Sequence, residues 1–232
     1  HGVTDVYWAI ADSVNTFFYI FGGGFEGREG LGISRIADYI DRFQITEPTG
    51  YALTNEPTGL IPTPEWKEDT FNDIWRLGDT YNTSIGQYGF QVTPLSLLRG
   101  MAAIANDGTL VTPHLALDED ITTESVKGVA PQYYQIIRDA LRETVTDGTA
   151  QTLNLPYVDI AAKTGTAQTN NKQSVNAWSI GFWPYEKPQY AYVVVMEEGP
   201  TQDTVGSSYA IRKVFEWMWQ NAPEYLAGES PA

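Results

Sequence analysis

The run DIAAKTGTAQT, residues 159–169, places a lysine, two hydroxyls and a glycine in succession between alanines. Threonine favours strands and a glycine within a strand marks a bulge, so strand structure alone accounts for the pattern. A ligand that lies along the backbone also accounts for it, because small residues permit close approach. Lys163, Thr164, Gly165 and Thr166 are therefore candidate ligand-binding residues on a strand.

A second candidate is Ser13-Val14-Asn15, a Ser-x-Asn sequence at the junction of two helical patterns. Taken alone, Ser13 is interpreted as a helix cap, and Lys163 alone as a solvated charge on a strand. Together the two sequences offer hydroxyls, a lysine and backbone N–H groups. An acyl-transfer enzyme that has no usable histidine or cysteine needs these groups.

Composition narrows the possible chemistry. The chain of 232 residues has 14 basic and 29 acidic residues and a formal charge of −15, which disfavours nucleic acid as a partner. It contains no cysteine, and its two histidines, His1 and His114, lie far apart, which argues against a histidine metal site or a Ser-His triad. The acidic run at 118–120 is interpreted as a solvated loop, and 21–27 as a loop without a phosphate cradle. No cofactor or metal is expected.

Periodicity then indicates the elements that position these residues. Helices are predicted within residues 3–21 (two, meeting near Ser13), 32–43, 93–108, 130–148 and 209–222. The last is expected to bury Ile211, Val214, Phe215 and Met218. Residues 46–92 have a turn and loop composition, and such a long segment is expected to be functional or to pack as a subdomain. Strands are predicted at 157–169 and on both sides of the turn PYEKPQ, with Trp178 and Trp183 beside the sheet as candidates to face the cleft. The plan predicts a mixed α/β or α+β domain.

Five segments, in order over nearly the whole chain, resemble the transpeptidase domain of class B penicillin-binding proteins. They are HGVTDVYWAIADSVNTFFY, GLIPTPEWK, GDTYNTSIGQYGFQVTPLSLLRGMAAIANDGTLVTPHL, AAKTGTAQT and AWSIGFWPYEKPQYAYVVVMEEG. The elongation-type branch, penicillin-binding protein 2, is the most similar. Lys-Thr-Gly and a Ser-x-Asn sequence belong to the signature of these proteins and of serine β-lactamases. IGQYGF departs from the pattern, which predicts a glycine before the aromatic residue; we expect this to alter a loop and not the chemistry.

The resemblance implies an antiparallel sheet flanked by helices, the penicillin-binding transpeptidase or serine β-lactamase-like fold, incomplete at its N-terminus. It implies that Lys163, Thr164, Gly165 and Thr166 form the inner edge strand of the active site. The two threonine hydroxyls would hold the terminal carboxylate of a D-alanyl-D-alanine stem peptide or a β-lactam, and Lys163 would add positive potential. Gly165 would let the substrate backbone pair with the strand, and the Thr166 N–H would serve an oxyanion hole.

The resemblance also assigns roles to the Ser-x-Asn sequence. Ser13 would lie in the proton-transfer path to the leaving amine, and Asn15 would hydrogen-bond the acyl side chain. The expected catalytic residues are thus Ser13, Asn15 and Lys163.

The family nucleophile, the serine of Ser-x-x-Lys, precedes Ser-x-Asn, and no lysine of this chain has a serine three residues before it. We therefore expect residues 1–232 to be the C-terminal portion of one transpeptidase domain and to be inactive alone. Residues 1–150 are expected to form its helical and loop part, 151–222 its strands and closing helix, and 223–232 a tail. A natural pseudoenzyme is the alternative.

The parent protein is then expected to be a peptidoglycan D,D-transpeptidase that works through a serine acyl-enzyme. The alternatives are a penicillin-recognising sensor or scaffold without turnover, and a β-lactamase or D,D-carboxypeptidase. The long segment at 46–92 and PTPEWK favour the synthase. Expected partners are the stem peptide, β-lactams and, through the parent, a membrane glycosyltransferase of the elongation machinery. The expected location is the extracytoplasmic face of a bacterial membrane, anchored by an upstream helix.

Overall fold

The computed structural model of the chain describes residues 2–51, 55–169, 174–201 and 206–228. In the first part of the chain the elements are α1 (Val6–Ala11), α2 (Asn15–Gly23), α3 (Gly32–Arg42), α4 (Pro64–Phe71), α5 (Leu77–Thr83), α6 (Pro94–Ala105), β1 (Thr109–Val111), β2 (Thr123–Ser125) and α7 (Pro131–Thr146). They are followed by β3 (Ala161–Gln168), β4 (Ser174–Trp183), β5 (Tyr190–Pro200), α8 (Gly206–Asn221) and α9 (Glu224–Ala227). The predicted plan of helices, antiparallel meander and closing helix is confirmed.

Local signals in the sequence fix where the long helices begin. The Thr93 hydroxyl accepts a hydrogen bond from the Ser96 N–H at 3.0 Å, and Pro94 occupies the first turn of α6. Proline suits that position because an N–H in the first turn would have no partner within the helix, so its absence costs nothing. Pro131 opens α7 in the same way.

The segment predicted as turn and loop contains two helices, α4 and α5, so that prediction is corrected. Both are short, and α5 contains glycine, asparagine and threonine, which are weak helix formers. A buried ion pair links the two helices, since the Lys67 ammonium lies 2.6 Å from Asp79 and 3.2 Å from Asp73. Helix α4 has a local start signal of the same kind as α6, Thr63 followed by Pro64, whereas tertiary contacts stabilise the weak helix α5.

The main sheet has the order β3-β4-β5 and is antiparallel throughout. Ile180 and Phe182 on β4 pack toward Ile10 of α1 and Met101 of α6. The opposite face of the sheet packs against Phe215 of α8. Strand β3 is the edge strand on the side of the helical part, so it positions the Lys-Thr-Gly residues.

Details of the closing helix differ from the predictions. Ile211 and Phe215 are buried, but the Val214 side chain is 42% exposed because it lies on the solvent side of α8.

Trp183, at the end of β4, is buried against Phe215 and does not face the cleft. Its indole N–H donates to the Tyr225 carbonyl at 2.9 Å.

The predicted tail begins with α9, whose Leu226 is buried in the same core, and residues 229–232 lie outside the described part. No helix in the described ranges combines the length and hydrophobicity needed to cross a membrane.

Candidate active site

Ser13 lies in a tight junction between α1 and α2. Its backbone has a left-handed φ of 51°, which turns the chain sharply before Val14 and the start of α2. The end of α7 approaches this junction closely, since the Thr149 N–H donates to the Ala11 carbonyl at 3.0 Å. The junction is therefore fixed against α7, the helix that precedes β3 in the chain.

Strand β3 directs Lys163 toward that junction. Lys163 is paired with Ile180 in the sheet register, and directly opposed residues of antiparallel strands project from the same face. Ile180 belongs to the core that includes Ile10 of α1. The Lys163 ammonium donates hydrogen bonds to the Ser13 hydroxyl and, at 2.9 Å, to the Thr164 carbonyl. Two residues 150 positions apart are thus in direct contact.

Burial lowers the pKa of Lys163 from 10.5 to about 8. A charged amine loses hydration when it is buried, and no carboxylate compensates for this loss at Lys163. At neutral pH most molecules still carry the charge, but a neutral amine is accessible within about one pH unit. Lys163 is suited both to attract a carboxylate and to exchange a proton with Ser13.

The two threonines of the strand differ in their surroundings. The Thr164 hydroxyl lies 2.7 Å from the hydroxyl of Thr149. Thr166 is exposed, and its carbonyl accepts a hydrogen bond from the Gln87 side-chain amide at 3.1 Å. A Cβ on Gly165 would meet only Trp178, at 3.4 Å, which is an ordinary contact. Packing within the chain therefore does not require a glycine at 165.

One cavity of about 720 Å³ brings the predicted site residues together. It is lined by Ser13, Asn15, Lys163, Thr164, Gly165 and Thr166, with Phe18, Ser84, Ile85, Gln87 and Thr149 completing the wall. An adjoining cavity of about 860 Å³ shares the Lys-Thr-Gly residues and has mostly apolar walls, among them Ile10, Met101, Ile137 and Leu141. All six predicted residues face the same space.

Thr149 and Gln87 also line the site and were not among the predicted residues. Thr149 directly follows Gly148, where the helix was predicted to stop, and this position was the one available signal. Gln87 has no local signal, because only the folded loop brings it to β3. The loop around IGQYGF therefore does reach the active-site strand, and Tyr88 itself takes a left-handed conformation with φ of 63°.

The site is built from hydroxyls, an amine and main-chain N–H groups. Among the described residues, no group of three or more histidine, cysteine, aspartate or glutamate side chains is placed to hold a metal ion. The acidic side chains at 118–120 are exposed. The arrangement suits binding of a carboxylate and proton exchange during acyl transfer.

The fold and this site define the class of protein. Residues 1–216 match the family described as the penicillin-binding protein transpeptidase domain, and the chain belongs to this family. The chain is 30% identical, over 94% of its length, to the peptidoglycan D,D-transpeptidase MrdA of Salmonella typhimurium. It is 29% identical, over 89% of its length, to the protein of the same name in Escherichia coli.

Solved structures show the same relationship. The penicillin-binding protein PBP2 of Helicobacter pylori, in complex with MreC, aligns with a TM-score of 0.81 and 32% identity over 96% of this chain and 41% of that chain. PBP2 of Pseudomonas aeruginosa aligns with a TM-score of 0.77 and 27% identity over 99% of this chain and 51% of that one. The penicillin-binding transpeptidase fold, of the serine β-lactamase-like type, and the similarity to the elongation-type branch are confirmed.

The chain spans 38% of the Salmonella relative and 36% of the Escherichia coli relative.

Proposed function

We propose that this chain is the C-terminal portion of the transpeptidase domain of a peptidoglycan D,D-transpeptidase. The observation that carries the proposal is the contact between Lys163 and Ser13 on the wall of a cavity that also displays Thr164 and Thr166. The identity to curated D,D-transpeptidases supports the same reaction class. In this proposal, residues 1–150 form the helical part, 151–222 the strands and closing helix, and 223–232 a tail.

The catalytic serine, in a Ser-x-x-Lys sequence, is contributed by another segment of the parent protein. The lysine of that sequence takes the serine hydroxyl proton, the serine oxygen attacks the carbonyl carbon of the penultimate D-alanine, and the C–N bond to the terminal D-alanine breaks as the acyl-enzyme forms. The departing nitrogen takes a proton through the Ser13 hydroxyl, which Lys163 hydrogen-bonds. An acceptor amine then attacks the ester carbon, forms the cross-link and returns the serine hydroxyl.

The residues of this chain bind and orient the acyl donor. Thr164, Thr166 and the Lys163 charge hold the terminal carboxylate, and a β-lactam carboxylate occupies the same place. The Thr166 N–H stabilises the oxyanion, because an N–H fixed on a strand needs no reorganisation as charge develops. Asn15, which lines the same cavity, hydrogen-bonds the acyl side chain.

The parent protein acts at the extracytoplasmic face of a bacterial membrane, to which an upstream helix anchors it. Through the parent, this domain works with a membrane glycosyltransferase of the elongation machinery. Two similar structures support an assembly: one contains PBP2 with MreC, and another is described as a peptidoglycan synthase complex.

The test is the rate of acylation of the full-length protein by a fluorescent penicillin. We expect Lys163→Ala and Thr166→Val to slow acylation by at least ten-fold, because each removes a group that holds the carboxylate. Stability should change little at the exposed Thr166, by about 0.5 kcal/mol. Lys187→Ala, at an exposed lysine in the turn between β4 and β5, is the matched control.

Unchanged acylation in both variants would remove the Lys-Thr-Gly strand from the mechanism. With a D-alanyl-D-alanine stem peptide as donor in place of the penicillin, acylation without later transfer to an acceptor amine would instead favour the sensor or scaffold.

A further inference from the structure

The free edge of β3 presents backbone groups at every second residue. In an antiparallel pair, the N–H and C=O of alternate residues point toward the partner strand and away from it. The Thr164 and Thr166 carbonyls accept side-chain hydrogen bonds from Lys163 and Gln87, so both face away from β4. Thr164 and Thr166 thus form the edge to which an extended peptide can add as a further strand.

Gln87 occupies one of these edge positions. Its side-chain amide donates to the Thr166 carbonyl at 3.1 Å, which is the kind of bond that the N–H of an added strand makes. Gln87 also lines both cavities at the point where they adjoin. The side-chain amide of Gln87 therefore stands where a main-chain amide of a bound peptide would stand.

The loop that carries Gln87 is held firmly. The Gln87 N–H donates to the Asn82 carbonyl at 3.0 Å, and the ring of Tyr88 packs edge-on against Trp66 and Trp75 at 5.8 and 5.9 Å. A Cβ on Gly89 would lie 2.7 Å from the Trp66 ring, so the loop closes tightly on that ring. Because the backbone is anchored on both sides of Gln87, its contact with β3 is a built feature of the fold.

We propose that Gln87 is a specificity-determining residue that caps the Thr166 carbonyl and is displaced by the amide N–H of the acyl donor. The inference rests on the proposed function. An acyl donor that offers a secondary amide N–H to this carbonyl replaces the lost bond when it pairs with β3. A donor that lacks such an N–H leaves the carbonyl to Gln87. The cap therefore lowers the apparent affinity for amide-bearing donors and affects others little.

The test compares two β-lactams on the full-length protein by the second-order rate constant of acylation. One is a penicillin with an acylamino side chain, and the other is a carbapenem, which has no amide at that position. Gln87→Met keeps the length of the side chain but cannot donate a hydrogen bond. Gln132→Met is the control, because Gln132 is exposed in the first turn of α7 and lines neither cavity.

We expect Gln87→Met to raise the penicillin rate constant by about two- to ten-fold, the range of one net hydrogen bond, with the carbapenem constant unchanged. Equal changes with both ligands, no change with either, or a slower reaction with the penicillin would overturn the inference. If the unaltered protein is acylated and Lys163→Ala slows it, the proposed function stands whatever Gln87→Met does. If neither ligand acylates the unaltered protein, the proposed function fails and this inference fails with it.

Discussion

Ser13 combines a strained backbone with a hydroxyl that accepts a hydrogen bond from Lys163. A residue with a side chain at φ of 51° costs about 1 kcal/mol relative to glycine, because its Cβ crowds the following carbonyl. The strain persists because it aims the hydroxyl at Lys163. We expect Ser13→Gly to be more stable than Ser13→Ala by about 1 kcal/mol, since both lose the hydroxyl but only glycine relieves the strain.

Urea unfolding of the two variants measures this difference, and acylation of the full-length variants should fall equally. An alanine variant as stable as the glycine variant would show that the junction stores no strain.

Lys163 makes stability depend on alkaline pH. Its pKa is about 8 in the folded chain and 10.5 when burial is lost, so the unfolded state holds the proton more tightly between these values. Burial of the charged amine lowers the free energy of unfolding by its full amount below about pH 8. This cost disappears as the pH rises toward 10.5. The free energy of unfolding should therefore rise through this window relative to Lys163→Met, by on the order of 3 kcal/mol.

Urea unfolding of both proteins at pH values from 7 to 10.5 measures the difference between their free energies of unfolding. Groups that titrate equally in the two proteins do not contribute to this difference. A difference that stays flat across the window would mean that Lys163 is hydrated in the folded state.

At the scale of elements, the site depends on how closely the end of α7 approaches the end of α1. A Cβ on Gly148 would lie 2.2 Å from the Ala11 carbonyl oxygen, a main-chain atom that cannot move alone. Gly148→Ala should therefore destabilise the chain by about 1–3 kcal/mol and weaken acylation, because the Ser13 junction shifts. Gly78→Ala is the control: nothing lies within 4 Å of its Cβ position in α5, so alanine should stabilise by up to about 1 kcal/mol.

Thermal unfolding and acylation of the two variants check the prediction. If Gly148→Ala were as stable as Gly78→Ala, the ends of α1 and α7 would be able to move apart without loss of stability.

Elements with local signals were predictable from the sequence, and those held by distant contacts were not. Thr93 with Pro94, and Pro131, mark helix starts by their own chemistry, so α6 and α7 were found. Helix α4 is an exception, because Thr63 with Pro64 marks its start in the same way and was not recognised, whereas α5 depends on the ion pair between Lys67 and Asp79, which no local pattern shows.

The same division holds for the candidate site. The Lys-Thr-Gly and Ser-x-Asn residues were found because their types are distinctive and they resemble a family signature. Thr149 and Gln87 have ordinary side chains, and only the packing of α7 and of the loop after α5 brings them to β3. A threonine and a glutamine of this kind become recognisable only when the fold is known.

At the scale of the whole molecule, the two adjoining cavities differ in the polarity of their walls. The more polar one presents the groups proposed to bind a carboxylate, while the more apolar one, of about 860 Å³, extends from Lys163 between α6, α7 and the sheet. Apolar walls of this extent favour burial of an apolar segment. We expect the helix that carries Ser-x-x-Lys in the parent protein to lie there, with its serine beside Lys163.

This arrangement predicts that residues 1–232 alone form no covalent adduct with a fluorescent penicillin. The chain has no Ser-x-x-Lys, and loss of an activated nucleophile costs on the order of a million-fold in rate. In the proposed mechanism Ser13 is no substitute, because its hydroxyl, which accepts a hydrogen bond from Lys163, serves the leaving nitrogen and not the carbonyl carbon. Addition of the Ser-x-x-Lys segment, fused or as a separate chain, should restore labelling, and Lys163→Ala in the same mixture should reduce it. Mass spectrometry of the labelled chain decides the matter: a stoichiometric adduct on residues 1–232 alone would make Ser13 or another serine of this chain the nucleophile.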